Sequence, residues 1–245
     1  VRCPRDHEGV QRRRHHPGDQ WDDSGVLGIC ELVMYEVPST NFVLMGDWDT
    51  SPEPLGKVVI RMVPNPFCLY GQGWQEGTRD MLQALAQEDA VGKRVCDIGT
   101  GTGILAIAAA KLGASHLAAT DLSLEVIPLA QKNFSVNGIN LQIERATVPA
   151  SPGSGYDLVL ANLGDEMVLE EHEAWLQAHC RGRLLHSSLS PEARLNRQPH
   201  DPLHPNRHVM RFMQEISDTV TAARIGPVVG QVGMVTVRER HPSWR

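Results

Sequence analysis

The sequence has few of the features that mark disulfide-rich, membrane-spanning or nucleic-acid-coating proteins. Its five cysteines form an odd number without paired spacing, which fits a reducing compartment better than a disulfide framework or a zinc site. No apolar run approaches the length of about 20 residues that a transmembrane helix needs, and no signal peptide is recognisable. The net charge of −6 provides no basic surface for nucleic acid. These absences predict a cytoplasmic protein whose main partner is neither a membrane nor a nucleic acid.

The length of 245 residues suits one large domain, or one domain with a small extension. Residues 1–25 are polar and aperiodic, which predicts a leader or a surface arm, and residues 26–66 predict an extension built from short strands. Residues 67–245 predict the main domain, in which a proline- and histidine-rich stretch at 188–208 predicts an irregular insertion.

The histidines of the second half of the chain do not follow a zinc-binding spacing. We therefore predict no metal site and interpret these residues as surface histidines in loops. They are His172, His179, His186, His200, His204 and His208.

What the chain does contain is a glycine-rich turn between an apolar run and a helical pattern. Gly99, Gly101 and Gly103 alternate after the apolar residues 95–98, and an alanine-rich helical pattern begins at once. Glycines let the backbone turn sharply and let a ligand lie against it, and the free amides at a helix start attract electron-rich groups. A second apolar run ends in Asp121, the position at which a carboxylate binds a ribose diol in such folds. The pattern predicts a nucleoside ligand.

The spacing of the glycines argues against a dinucleotide. A dinucleotide fingerprint has its third glycine three residues after the second, and Ile104 occupies that position here. With its acid two residues before the first glycine, Asp97-x-Gly99-x-Gly101-x-Gly103 resembles the nucleoside-binding motif of class I S-adenosylmethionine-dependent methyltransferases. In that family the acid lies near the methionine amino group, the glycine turn faces the cofactor, and the acid after the second strand binds the ribose hydroxyls.

Hydrophobic periodicity predicts alternating strands and helices along the chain. The order implies an α/β fold: a doubly wound, mostly parallel seven-stranded sheet with an antiparallel last strand, which is the Rossmann-like methyltransferase fold. Ser123 is the expected N-cap of the third helix, and Gly230 is expected near the turn of the closing strand pair. The predicted strands cover 58–63, 95–98, 116–120, 141–144, 156–163, 183–187, 225–229 and 231–237, and the predicted helices cover 78–87, 104–112, 123–137, 166–178 and 209–223.

A closer resemblance covers roughly residues 58–187, about half of the chain. Residues 97–112, the dipeptide Asn137-Gly138 and residues 157–163 resemble the ribosomal-protein lysine methyltransferase family that modifies the large-subunit stalk protein. That family carries an aromatic-Gly-Thr-Gly-x-His-x-Thr-Thr loop over its cofactor. The matching residues here are Tyr70, Gly71, Gly73 and Thr78, whereas Gln72, Gln75 and Gly77 differ from the pattern.

The resemblance implies S-adenosyl-L-methionine as cofactor and methyl transfer to an amine on a small molecule, a peptide or a protein. It implies that Asn162 and Leu163 orient the amine, and that Asp165 or Glu166 accepts its proton or binds a cationic substrate. These two acids also fit a helix N-terminus, where they complement the helix dipole. The residues implied in cofactor binding are Tyr70, Gly71, Gly73, Thr78, Asp97, Gly99, Thr100, Gly101, Gly103, Asp121, Leu122 and Asn162.

Alternatives stay open at the level of the sequence. Residues 1–56 lack the helical pattern of the substrate domain that precedes the catalytic domain in the resembling family. A diverged enzyme of the same fold that uses the sulfonium for cyclisation or aminopropyl chemistry is one alternative. A catalytically silent binding protein is another, and a glycine-rich connection in an unrelated α/β protein is a third.

Overall fold

The computed structural model describes residues 10–11, 34–64, 73, 75–164, 172–188, 228–232 and 235–240. Within these ranges the chain alternates between strands and helices, with two sheets. The strands are β1 (Val10–Gln11), β2 (Met34–Glu36), β3 (Phe42–Gly46), β4 (Val58–Met62), β5 (Arg94–Ile98), β6 (His116–Thr120), β7 (Ile143–Glu144), β8 (Tyr156–Gly164), β9 (Cys180–Ser188), β10 (Val228–Val232) and β11 (Val235–Glu239). The helices are α1 (Glu76–Ala86), α2 (Ile104–Lys111), α3 (Val126–Val136) and α4 (Glu173–His179).

The larger sheet has seven strands in the order β10-β11-β9-β8-β5-β6-β7. Neighbouring strands are parallel in the part of the sheet formed by β9, β8, β5, β6 and β7. Strand β11 runs antiparallel to β9, and β10 runs antiparallel to β11. The predicted α/β fold with a doubly wound, Rossmann-like, mostly parallel seven-stranded sheet is confirmed. Because β6 and β8 flank β5 on opposite sides, the strand order reverses at β5, and ligands of open α/β sheets bind at such a point.

Apolar residues cover both faces of this sheet, because successive residues of a strand point to opposite sides. On one face, Val95, Leu158 and Leu185 join a core that includes Leu85 of α1 and Ile107 of α2. On the other face, a second core packs against α4 and includes Cys96, Ile98, Val159, Leu176 and Leu184. The glycine turn lies between β5 and α2, so both of its ends are anchored in packed elements.

The smaller sheet has the order β1-β2-β3-β4, with β4 parallel to β3 and the other neighbours antiparallel. Phe42, Leu44 and Ile60 from this sheet belong to the same core as α1 and α2, and β4 contacts α2 and α3. The short strands expected in this part of the chain are present, and the division into segments 1–25, 26–66 and 67–245 stays a prediction.

Some predicted boundaries are wrong. Helix α3 begins at Val126, with Glu125 as its N-cap, because the backbone N–H of Ser123 donates to Asp121 Oδ1 and keeps this segment in a turn. Gly230 lies inside β10, two residues before the end of that strand. Strand β7 covers two of the four residues expected, and the helix expected at 209–223 lies outside the described residues. In the described ranges, no helix is long and apolar enough to cross a membrane.

Candidate functional site

The turn between β5 and α2 depends on its three glycines. Gly99, Gly101 and Gly103 have φ angles of 65°, 54° and 83°, in the left-handed region that side chains disfavour. The backbone N–H of Thr100 donates to the carbonyl oxygen of Thr120 at 2.8 Å, which joins the turn to the end of β6. The turn therefore crosses the carboxyl ends of β5 and β6 with its backbone close to the surface of the sheet edge.

Asp121 holds the middle of this turn from the end of β6. Its Oδ2 accepts the backbone N–H of Gly101 at 2.9 Å, and its Oδ1 accepts that of Ser123 at 2.9 Å. The residue is half-buried, and each carboxylate oxygen can accept a further hydrogen bond besides the one from the backbone. The carboxylate can therefore bind vicinal hydroxyls without releasing the turn. Leu122, the next residue, is exposed.

Asp97 lies beneath the turn and is almost entirely buried. Its Oδ2 accepts the Thr100 hydroxyl at 2.7 Å and the backbone N–H of Ala106 at 3.2 Å. Its Oδ1 is buried and has no partner among the described residues. Burial raises the pKa of Asp97 to about 7, the two hydrogen bonds oppose this shift, and the charge of Asp121 adds to it. A buried acceptor without a partner is a position that a ligand cation can satisfy.

Asn162 lies near the end of β8, on the other side of the turn. Its Nδ2 donates to Thr78 Oγ1 at 3.2 Å, which fixes the amide between β8 and the first turn of α1. A Cβ on Gly77 would lie 3.4 Å from Asn162 Oδ1, so the carbonyl end of the amide faces the space above that glycine. The Leu163 side chain packs on Gly99 so closely that a Cβ at Gly99 would overlap it.

The structure thus brings most of the described sequence-predicted residues to one edge of the sheet. Gly73, which precedes α1, is buried against the side chains of Leu44 and Ile104. Four predicted residues lie outside the described residues: Tyr70, Gly71, Asp165 and Glu166. Which residues bind a cofactor and which act on an acceptor stays a prediction.

The geometry fits a nucleoside that carries a cationic amino-acid end. Over Gly101, the described atom nearest to an added Cβ is the Gly99 carbonyl oxygen at 4.0 Å, so the turn has open space above it. The unpaired Oδ1 of Asp97 suits an ammonium group, and the half-buried carboxylate of Asp121 suits a ribose diol.

Two buried polar residues show where the sequence interpretation failed. His186, expected in a surface loop, lies fully buried in β9 and accepts a hydrogen bond at Nε2 from Arg238 Nε at 3.0 Å. Burial and the nearby Arg238 lower the pKa of His186 to about 3. Asn133 in α3 was not singled out, although it lies between the buried residues Ala130 and Phe134. A polar residue on the apolar face of a helix was the available signal.

Of the other histidines, His172 is the N-cap of α4 and His179 is the last residue of that helix, and both are half-buried. His200, His204 and His208 lie outside the described residues. Across the described part of the chain, no group of three or more histidine, cysteine or acidic side chains is placed to hold a metal ion.

Comparison with known proteins gives a family match over more than half of the chain. Residues 37–182 match the family described as ribosomal protein L11 methyltransferase (PrmA). A ribosomal protein L11 methyltransferase from Lactobacillus johnsonii is 35% identical over 134 residues, which are 54% of this chain and 42% of that protein. One from Deinococcus radiodurans is 35% identical over 131 residues, covering 51% of this chain and 47% of that protein. The chain thus spans less than half the length of these curated relatives.

A solved structure supports the fold. The crystal structure of a ribosomal protein L11 methylase from Lactobacillus delbrueckii subsp. bulgaricus covers 85% of this chain and 99% of its own, with a TM-score of 0.64 and 23% identity. The likeness at that identity concerns the fold alone. Since the family match covers well over half of the 245 residues, the chain belongs to the ribosomal protein L11 methyltransferase (PrmA) family.

Proposed function

We propose that this protein is an S-adenosylmethionine-dependent methyltransferase that methylates amino groups of a protein, with ribosomal protein L11 as the first acceptor to test. The observation that carries the proposal is the shared position of two features at one sheet edge. The turn bound by Asp121 offers a nucleoside site, and the fixed amide of Asn162 lies beside it. The relatives' names supply the acceptor, because the site geometry supports an amine acceptor but no particular protein.

Each residue at the cofactor end of the site has a role that S-adenosylmethionine would give it. S-adenosylmethionine supplies an electrophilic methyl group on a positively charged sulfur when it is bound. The Asp97 carboxylate, whose Oδ1 lacks a described partner, is expected to bind the methionine ammonium, and Asp121 the ribose hydroxyls. Gly101 leaves the backbone bare where the nucleoside would lie, because no described atom lies closer than 4.0 Å to a Cβ added there. These residues fix the position of the ligand, and alignment is the main source of acceleration in a displacement of this kind.

The acceptor end needs a neutral amine with its lone pair directed at the methyl group. Asn162 Oδ1 can accept one amine N–H because Thr78 Oγ1 already holds the Nδ2 end of the amide. The absence of a side chain at Gly77 leaves space beside that oxygen. Methyl transfer would form the C–N bond as the methyl–sulfur bond breaks, and the demethylated cofactor would leave as a neutral thioether. The nitrogen would then carry the positive charge and release a proton to water or to a carboxylate. The chain's part is to hold the amine in line and to exclude water from the methyl group.

Transfer of radiolabelled methyl groups tests the proposal. The purified chain is incubated with methyl-labelled S-adenosylmethionine and ribosomal protein L11, and Asn162→Ala is the matched variant. We expect label in L11 with the unaltered chain and at most a few per cent of that rate with Asn162→Ala, whose Tm should stay close to the original.

Other outcomes would replace the proposal. Label in a low-mass fraction of a cell extract, with none in protein, would indicate a small-molecule acceptor. Cofactor binding without label in any fraction would favour either a silent binding protein or non-methyl chemistry. A failure to bind S-adenosylmethionine would refute the cofactor assignment itself.

A further inference from the structure

Two asparagines of α3, Asn133 and Asn137, lie one helical turn apart and point at the smaller sheet. Asn133 is fully buried, and Asn137 is half-buried. Residues four apart lie on the same side of a helix, so both side chains reach the same neighbour, the edge strand β4. Buried amides in an apolar core are costly unless their hydrogen bonds are satisfied, so the partners of each amide indicate its purpose.

Asn137 hydrogen-bonds to the backbone of β4 at the edge of the smaller sheet, as a neighbouring strand would. Its Oδ1 accepts the backbone N–H of Arg61 at 2.9 Å, and its Nδ2 donates to the carbonyl oxygen of Arg61 at 2.7 Å. Nδ2 also donates to the carbonyl oxygen of Asn133 at 2.8 Å, inside α3. Two of these bonds attach β4 to α3 and the third lies within α3, so none of the three reaches the glycine turn.

Asn133 makes a different pair of bonds. Its Oδ1 accepts the backbone N–H of Val63, just after β4, at 2.8 Å. Its Nδ2 donates to the carbonyl oxygen of Thr102 at 2.8 Å, and Thr102 lies inside the glycine turn. One buried amide thus connects the smaller sheet to the cofactor side of the larger one.

The bond to Thr102 bears on the most constrained part of the turn. Thr102 lies between Gly101 and Gly103, which both have positive φ, so the backbone on either side of it has a conformation that few residues can adopt. Asp121 holds the turn from the β6 side through the N–H of Gly101, and Asn133 holds it from the α3 side through the carbonyl of Thr102. The two bonds hold successive residues of the turn, and they add to the backbone bond from Thr100 to Thr120 in fixing where the turn presents its backbone.

We propose that Asn133 is a positioning residue for the cofactor: it fixes the glycine turn against β4 and so sets the affinity for S-adenosylmethionine. This proposal rests on the proposed function. It also predicts that the smaller sheet and the cofactor turn are coupled through one side chain, because the same amide binds both.

The test compares Asn133→Leu with Asn137→Leu, two variants with the same change of side chain on the same helix. Both lose hydrogen bonds to β4 and should lower the Tm. Only Asn133→Leu removes the hydrogen bond from Asn133 to the carbonyl of Thr102, so it alone should raise the Kd for S-adenosylmethionine, by about tenfold, as expected for one buried hydrogen bond. Calorimetric titration is performed at a temperature at which thermal melts show each variant to be folded.

Turnover separates positioning from a general loss of structure. In the methyl-transfer assay, Asn133→Leu should raise the KM for S-adenosylmethionine while kcat at saturating cofactor stays within about twofold of the unaltered chain. If Asn133→Leu does not fold, Asn133→Ser takes its place, because the smaller polar side chain admits water to the freed groups.

The outcomes are distinct. An unaltered Kd in a folded Asn133 variant, or an equal rise in Kd in Asn137→Leu, would overturn the positioning role while leaving the proposed function intact. An unaltered chain that does not bind S-adenosylmethionine would overturn both.

Discussion

The buried carboxyl of Asp97 makes a quantitative prediction about stability. Burial raises its pKa to about 7 in the folded chain, against a value of 3.8 for an ordinary aspartic acid. At a pH between these two pKa values, Asp97 is protonated in the folded state and ionised in the unfolded state, so the folded state holds one more proton. The contribution of Asp97 to stability is therefore complete below about pH 4 and is lost as the pH rises to about 7. The loss amounts to about 1.4 kcal/mol per pH unit within that window.

Asp97→Asn isolates this effect, since an amide has the same shape and does not titrate. The amide oxygen can still accept the Thr100 hydroxyl and the N–H of Ala106, which both donate to Oδ2 in the unaltered chain. Other titrating groups, including His186, are present in both proteins and cancel in the difference. Between about pH 5 and pH 7 the variant should therefore gain roughly 2 to 3 kcal/mol in free energy of unfolding relative to the unaltered chain.

Urea denaturation of the two ligand-free proteins at intervals across this range measures the difference directly. A difference that stays constant with pH would refute the raised pKa and, with it, the idea that a ligand cation has to satisfy this carboxyl. Under the proposed function, the stabilised variant should also bind S-adenosylmethionine more weakly, because the amide lacks the charge that attracts an ammonium group.

Three further predictions follow from named contacts. Gly77→Ala should raise the free energy of unfolding by about 0.5 to 1 kcal/mol, because alanine favours the helix. It should also lower kcat for methyl transfer severalfold, because the new methyl group lies against Asn162 Oδ1. A higher Tm with unchanged kcat would contradict the role given to the space between Gly77 and Asn162. Gly73→Ala should abolish folding or lower the free energy of unfolding, measured in denaturant, by more than about 3 kcal/mol, because the new Cβ would overlap Leu44 and φ is 89°. Gly92→Ala, with φ 72° and no described atom within 4 Å, should lower it by only about 1 to 2 kcal/mol, and similar losses in both variants would mean that Gly73 is not packed as described. His186→Leu should reduce the fall in the free energy of unfolding as the pH drops below about 6.5, because a histidine with its pKa lowered to about 3 stabilises the fold above that pH and loses this contribution as the pH falls. Parallel curves of unfolding free energy against pH for the two proteins between about pH 7 and pH 5 would refute the buried neutral histidine.

Local patterns predicted the elements around the turn. The apolar runs at 95–98 and 116–120 and the alternate glycines define β5, β6 and the turn almost to the residue, because each signal is contained within a few neighbouring positions. The amphipathic spacing of Met81, Leu82 and Leu85 likewise predicted α1 and its buried face. Asp121 was placed correctly for the same reason, at the end of a recognisable strand.

Features that depend on distant parts of the chain were not predictable in this way. The parallel pairing of β4 with β3, and the contact of both with α1 and α2, joins segments that carry no mutual local signal. His186 is buried because β11 supplies Arg238 beside it, 52 residues further along. Asn133 has partners 70 residues before it and 31 residues before it, so its role emerges only once β4, the turn and α3 are packed together.

The account depends most on a nucleoside cofactor that lies across the ends of β5 and β6 and is bound by Asp121. Calorimetric titration of S-adenosylmethionine into the unaltered chain, Asp121→Ala and Asp89→Ala tests it directly. Asp89 is an exposed acid whose Oδ1 accepts only the N–H of Val91 among the described bonds, so it serves as the control. We expect Asp121→Ala to bind about a hundredfold more weakly, because it loses the bond that holds Gly101 as well as the ribose contact, and Asp89→Ala to bind like the unaltered chain. Equal affinity in all three proteins would contradict the central claim.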